Sequence, residues 1–460
     1  MHFNKENFEV NTYSYNGREI RYRAFMNRSY VDKPADPAFQ IINIFVPECY
    51  YSGESINGYN LQNAPIFIPN SVGGYMPGPA MVPGPMLFGE APINSLFFAL
   101  EHGYVVASPG IRGRIWTYGK APACIVDYKA AIRYLRHFKD EVPGDVNKII
   151  TNGTSAGGAL SALMGVTGNH PDYEPYLEGI GAAKERDDIF AASCYCPIIN
   201  LENADTAYEW QFNNVNEYHR INMEFNGDAP PTFIPEDGLL TDEQIQISDE
   251  LKAMFPQYIN KLSLKDNDGN SLSLDAYGTG SFLSYIESLL VDSADKAIKS
   301  GLDLSKETWL TIKDGKAIGV DFFQYAKQVT RMKVPPAFDN LSLEAPENEL
   351  FGNKEYPARH FTQYGVFHSK VHGKIAEEKT ISLLNPVAYV GSADTALAKH
   401  WRIRHGQADR DTSLAISAIL VLKLKEAGRK VDYALPWGIP HSGDYDLEEL
   451  FAWIDKICLT

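Results

Sequence analysis

Cysteine is scarce in this chain of 460 residues: Cys49, Cys124, Cys194, Cys196 and Cys458 are the only five. An odd handful over that length makes no disulfide framework, and Cys194 and Cys196 are separated by one residue where zinc knuckles use two or more. All five are expected as reduced core thiols. Positive charge is also in deficit, with 42 Lys and Arg against 58 Asp and Glu and a net charge of -16. Such a surface repels phosphate backbones and anionic lipid, which excludes nucleic acid and membranes as partners. The N-terminus, "MHFNKENFEV", lacks a basic stretch followed by an apolar one, and no apolar run approaches the ~18 residues of a spanning helix. A soluble, cytoplasmic protein is expected.

What the chain does have is hydrophobic content, 44%, enough for one large core or two. Over the first two hundred residues, short apolar runs alternate with helical patterns, the rhythm of βαβ units. "QIINIFV" (40–46), "APIFIPN" (64–70), "YVVASPG" (104–110) and "KIITNG" (148–153) are strand candidates. In "CIVDYKAAIRYLRHF", Ile125, Tyr128, Ile132 and Leu135 lie three and four apart on one helical face. After "IFAASCYCPI" (189–198) the rhythm breaks for some 190 residues rich in tyrosine, phenylalanine, proline and acids. The division expected is a discontinuous catalytic domain, 1–198 with 386–460, and an inserted lid, 199–385. Inside the insert, "KLSLKDNDGNSLSLD" (261–275) lacks the glycine of a calcium loop and predicts a β-hairpin about "NDGN". The rhythm returns with "WRIRHG" (401–406), a helix over 411–428 and "KVDYALPW" (430–437). A final helix opens on Asp446 with Glu449 three residues on, a capping-box pattern. It turns Leu450 and Ile454 to the core, with Trp453 beside them.

One short stretch carries chemistry. In "KIITNGTSAGGALSALMG" (148–165), a strand runs through G-x-S-x-G into a small-residue helix, so that Ser155 stands between Gly153 and Gly157. At a nucleophile elbow the serine is pushed out of the sheet by a strained turn that tolerates no bulky neighbours. An ordinary glycine-rich turn would read the same, so the acid and base must also be found. They follow in the order this architecture uses: Asp409 or Asp411 after "WRIRHG", at a strand's carboxyl end, and then His441 before the last helix. The oxyanion would need the backbone N–H of Ala156 and one from an earlier loop; Gly74, in "IPNSVGGYMPGPA", is the candidate.

These residues resemble the bacterial tannases (tannin acyl hydrolases), serine esterases of the α/β-hydrolase fold with a large inserted lid. The resemblance covers nearly the whole chain through "NSVGGYMPGPA", "GIRGR", "ITNGTSAGGA", "AYEWQFN", "RMKVPPAFDNL", "PENELFG", "KHWRIRHGQADRDTS" and "LPWGIPHSGDYDL". It implies Ser155 as nucleophile, His441 as general base and acid, and Asp409 as the residue orienting the imidazole. It further implies that Asp411, Lys333 and Glu347 bind the phenolic hydroxyls of a galloyl ring, and that Ile198 and Pro346 pack on the ring faces. Two carboxylates and an ammonium suit a row of hydroxyls that both donate and accept.

The expected activity is therefore hydrolysis of gallate esters through a galloyl-serine intermediate, needing no metal or organic cofactor. The expected partners are small-molecule galloyl esters; the sequence does not give the oligomeric state. Three alternatives stand beside this reading. One is a feruloyl-type or general carboxylesterase of the same fold, the second a non-catalytic binding protein that kept it, and the third a serine peptidase, weakened because the insert shows no propeller-like repeat.

Overall fold

A computed structural model of the chain describes residues 1–85, 93–224 and 232–459. Its strands run β1 (Glu9–Tyr15), β2 (Arg18–Ser29), β3 (Ile41–Pro47), β4 (Pro65–Pro69), β5 (Val105–Pro109), β6 (Asp145–Thr154) and β7 (Ala191–Tyr195). Two small hairpins follow, β8 (Glu217–Glu224) with β9 (Thr232–Leu239) and β10 (Leu310–Lys313) with β11 (Lys316–Val320). The last strands are β12 (His400–Arg404) and β13 (Lys430–Ala434). Nine of these form one sheet in the order β1-β2-β3-β5-β4-β6-β7-β12-β13. From β5 to β13 every neighbouring pair is parallel, and β1 to β3 add an antiparallel edge. All residues of β4, β5 and β7 are buried, as befits parallel strands covered on both faces.

The helices in chain order are α1 (Ser95–Glu101), α2 (Ala123–His137), α3 (Ala156–Val166), α4 (Glu174–Gly179), α5 (Leu201–Phe212), α6 (Asp242–Leu262), α7 (Ser281–Lys299), α8 (Phe322–Val329), α9 (Pro346–Leu350), α10 (Gln363–Phe367), α11 (Glu378–Ser382), α12 (Leu414–Glu426) and α13 (Leu447–Cys458). The strands of the large sheet and the helix around residue 130 expected from the sequence are all present, and this is the α/β-hydrolase fold. Between β7 and β12 none of the described residues adds a strand to the large sheet. It is nonetheless fastened to it: the Trp309 ring stacks on Trp437 at 5.5 Å, and the Tyr325 hydroxyl donates to the Gln407 carbonyl at 2.6 Å. The Gln211 side chain accepts from the Leu414 N–H at 2.9 Å, closing the first turn of α12. One cluster of buried apolar side chains contains both Phe67 and Phe451 beside the sheet and Trp210, Phe255 and Phe282 beyond it.

Three local expectations are settled or corrected, and one hairpin is new. All five cysteines are free, with four buried and Cys49 partly so. The stretch 261–275 is not a hairpin of paired strands: Leu262 ends α6, and a single bridge joins Lys265 to Ser271. The Asp266 carboxylate closes that turn instead, accepting from the N–H groups of Asp268 and Asn270. Asp446 occupies the N-cap of α13 but caps nothing, because its carboxylate takes the buried Arg402 guanidinium and the Tyr195 hydroxyl. The β1–β2 hairpin, absent from the sequence reading, turns on Asn16 and Gly17 at φ 49° and 74°, a pairing that was legible between alternating strands. Among the described residues no helix is long and apolar enough to cross a membrane.

Candidate active site

Strand β6 ends at Thr154 and α3 starts at Ala156, leaving Ser155 alone in the turn at φ 59° and ψ -121°. Such a conformation costs a side-chain-bearing residue ~1–3 kcal/mol and persists only where its surroundings fix it. Here three backbones converge. A Cβ on Gly153 would lie 2.4 Å from the Gly157 carbonyl oxygen, one on Gly157 2.9 Å from that of Val72, and one on Gly158 2.6 Å from that of Tyr195. The glycines around the serine are thus required by close approach. The Ser155 N–H donates to the Tyr195 carbonyl at 3.0 Å, and its own carbonyl accepts from Ile198 at 3.2 Å.

The loop after β13 lies against this elbow, since a Cβ on Gly443 would overlap the Thr154 hydroxyl at 1.8 Å. The Asn152 amide donates to Asp444 at 2.8 Å and holds the same loop. It carries His441, whose Nδ1 is 2.8 Å from Asp409 Oδ2. Asp409 is fully buried, and its other oxygen accepts the Asp411 N–H at 2.8 Å. Burial works against the carboxylate, but His441, His405 and these hydrogen bonds prevail and hold its pKa down to about 2. Asp409 is therefore charged at neutral pH and fixes Nδ1 of His441 as the protonated nitrogen, leaving Nε2 as the basic one. For His441 itself burial favours the neutral ring, yet Asp409, Cys196 and Asp411 outweigh it and raise its pKa well above 6.5.

Nε2 of His441 faces the Cys196 thiol at 3.9 Å. Burial raises that thiol's pKa, against His441 and the Ser155 N–H, which favour the thiolate. Cys196, Asp409 and His441 are the only group of metal-ligating type drawn together among the described residues, within 4.8 Å of one another. Two of the three ligand atoms are already engaged with each other.

On the other side of the elbow, the Asn70 amide donates to the Gly157 carbonyl at 3.0 Å while its oxygen accepts from Val72. This ties α3 to the loop bearing Gly73 and Gly74, both exposed, with Gly74 at φ 52°. Ala156 opens α3. The chain between β7 and β12 contributes charged groups as well. Lys333 Nζ donates to Asp411 at 3.0 Å and sits 3.8 Å from the Phe338 ring centroid. Desolvation would discharge the lysine, but Asp411 and Glu347 raise its pKa and keep it an ammonium. Glu347, at the start of α9 and buried, has its pKa raised by burial against the pull of Lys333. Asp411 is lowered, burial being overcome by Lys333 and His441. Ile198 is buried beside Ser155, and Pro346 is exposed at the first position of α9.

Residues the sequence reading passed over hold these groups in place. The Tyr208 hydroxyl accepts the N–H groups of Met332 and Lys333, each at 3.0 Å, and donates to the Arg410 carbonyl at 2.9 Å. One phenol thereby joins the Lys333 segment to the loop of Asp409 and Asp411. Behind it, the fully buried pair Arg331 and Glu209 meets at 2.6 Å, and Arg331 also donates to the Lys333 carbonyl. Tyr208 and Glu209 lie in "AYEWQFN", whose polar residues gave no sign of direction without the fold.

A strained serine at a strand-to-helix turn, beside an Asp-His pair on the α/β-hydrolase sheet, is the architecture of a carboxylic ester hydrolase. A family model described as BD-FAE matches residues 89–220, the segment containing the elbow. The chain is 32% identical over 159 residues to the esterase LipC of Mycobacterium tuberculosis, a match spanning 34% of each chain. It is 48% identical to the tannase of Fusobacterium nucleatum over 99% of both chains, with a TM-score of 0.94. A solved tannin acyl hydrolase in complex with ethyl gallate is 46% identical over 99% of this chain and 98% of that one, with a TM-score of 0.92. The chain belongs to the bacterial tannase family.

Proposed function

We propose that this enzyme hydrolyses galloyl esters, with Ser155 as nucleophile, His441 as general base and acid, and Asp409 as the group orienting His441. Ser155 attacks the ester carbonyl as Nε2 of His441 takes its proton, and the carbonyl oxygen becomes an oxyanion facing the N–H groups of Ala156 and Gly74. His441 then gives the proton to the departing alcohol, leaving a galloyl-Ser155 ester. Water, deprotonated by His441, releases gallic acid and restores the serine. Nothing in these steps calls for a metal or organic cofactor.

Lys333, Asp411 and Glu347 would receive the three adjacent hydroxyls of the ring, between Ile198 and Pro346. The observation that carries this reading is the Lys333–Asp411 contact at 3.0 Å beside the buried Glu347, assembled from two distant parts of the chain next to the Asp409–His441 pair. A feruloyl-type acyl group, with a single ring hydroxyl, would leave charges of such a pocket unpaired. Sites built around a hydroxyl reject analogues lacking it by up to ~10⁴-fold.

The test is a panel of methyl esters of gallate, protocatechuate, ferulate and benzoate. Gallate is expected to be turned over best, protocatechuate less well, and ferulate and benzoate poorly. Ser155→Ala is expected to lose ~10⁴-fold or more in kcat. A preference for ferulate, or a Ser155→Ala variant keeping a tenth of the wild-type rate, would sink the assignment.

A further inference from the structure

The guanidinium of Arg114, in the "GIRGR" stretch, touches both halves of the site at once. Its Nε donates to the Gly74 carbonyl at 2.8 Å, and its backbone N–H donates to the Tyr75 carbonyl at 2.9 Å. The Gly73 carbonyl is held in turn by the Met76 N–H at 2.9 Å. Three consecutive carbonyls are thus turned toward fixed donors. Across a planar trans peptide the C=O and the following N–H point in opposite directions, so holding the Gly73 carbonyl directs the Gly74 N–H the other way. Gly74 and Tyr75 both have positive φ, 52° and 56°, a backbone course that Tyr75 does not favour on its own.

The far side of the same guanidinium pairs with Glu349, whose carboxylate also has Lys120 at 3.7 Å. Glu349 is on α9, two residues after Glu347, and the Ala121 N–H donates to the Leu350 carbonyl of that helix at 2.9 Å. The Arg114 charge also favours the ionised form of Glu347. The loop carrying Arg114 leaves little slack, because a Cβ on Gly113 would fall 2.1 Å from the Pro77 nitrogen.

We propose that Arg114 is a positioning residue that sets the oxyanion loop and the ring-binding helix α9 in register with one another. This rests on the reading of Gly74 as an oxyanion donor and Glu347 as a ring-binding group. Guanidinium is suited to the task because it presents several donors in a rigid fork, so one side chain can hold a carbonyl and a carboxylate together. A lysine at 114 carries its only nitrogen at the end of the stem, where it can keep the ion pair with Glu349, and has a carbon at the position from which Nε meets the Gly74 carbonyl.

The experiment measures kcat and KM for p-nitrophenyl acetate, which has no aromatic acyl group, and for methyl gallate, with Arg114→Ala and Arg114→Lys. Each rate is expressed per site titrated by a p-nitrophenyl phosphonate, so misfolded molecules drop out of the count. For Arg114→Ala we expect kcat on the acetate to fall ~10-fold or more, short of the ~10²–10³ of a deleted oxyanion donor, with KM for methyl gallate raised as well. Arg114→Lys is expected to restore KM for methyl gallate while leaving kcat on the acetate low. That split is not the mark of a mere surface ion pair. Should lysine restore both constants in full, or should either variant hold wild-type kcat on the acetate, the proposal is overturned. Failure of the wild-type enzyme to react with the phosphonate would instead strike the Ser155 assignment.

Discussion

Asp409 and Asp411 stand two positions apart and face different partners. The first is sealed against His441 Nδ1, and the second meets Lys333 at 3.0 Å while also lending its charge to the imidazole. Asp409→Asn is therefore expected to damage every substrate, by ~10⁴-fold as triad units do, whereas Asp411→Asn should cost methyl gallate far more than a small activated ester. A pH profile adds a second, independent reading. On the proposed mechanism His441 must be neutral to accept a proton, and its pKa lies above 6.5, so kcat/KM is expected to fall as pH drops through a value above the ordinary imidazole range. Asp411 is one of the charges that raise it, so in Asp411→Asn the acid limb on the small ester should move to lower pH. A limb that stays put would mean the two groups are not coupled.

Among the elements, α13 shows how a local rule yields to a buried charge. Asp446 followed by Glu449 reads as a helix start, and the helix does start there, but the carboxylate serves Arg402, which is 1% exposed. An unpaired buried guanidinium is far more costly than an uncapped N–H. Asp446→Ser, a good N-cap by propensity, is accordingly expected to destabilise the protein by about 3–5 kcal/mol, measured by denaturant unfolding; an unchanged or higher stability would refute the role given to Asp446. The same contrast explains what could be read in advance. Strands and helices with a strong period depend on neighbours in sequence and were legible, whereas the local pattern offered a serine, a histidine and either Asp409 or Asp411 between them, and only family resemblance chose Asp409. Lys333 and Glu347 were named only through family resemblance, since on local pattern alone they are surface charges. Tyr208 and Arg114 act through partners about 200 and 40 to 235 positions away, and no local pattern encodes such pairings.

For the whole molecule, one buried acid ties proton uptake to folding. Asp205 on α5 accepts the N–H groups of Phe338 and Asp339 and lies beside the Asp339 carboxylate. Burial and that neighbour raise its pKa from 3.8 to about 8. The folded chain thus keeps a proton that the unfolded chain releases near pH 4, so stability is lost as pH rises between these values, by up to about 1.4 kcal/mol per pH unit. Thermal unfolding from pH 6 to 9 should show Tm declining with pH, and Asp205→Asn should flatten the decline. Equal slopes for the two proteins would remove Asp205 from the account.

On the proposed reading, the recognition charges differ in what they are bound to. Lys333 and Glu347 come from the chain between β7 and β12, while Asp411 shares a loop, a backbone hydrogen bond and a field with the acid that serves His441. Under selection for a different acyl group, a change at 347 leaves the partners of the imidazole in place, a change at 333 reaches it only through Asp411, and each change at 411 resets its basicity directly. New specificities in such a molecule are expected to arise first in the insert, with Asp411 the last of the three to be released.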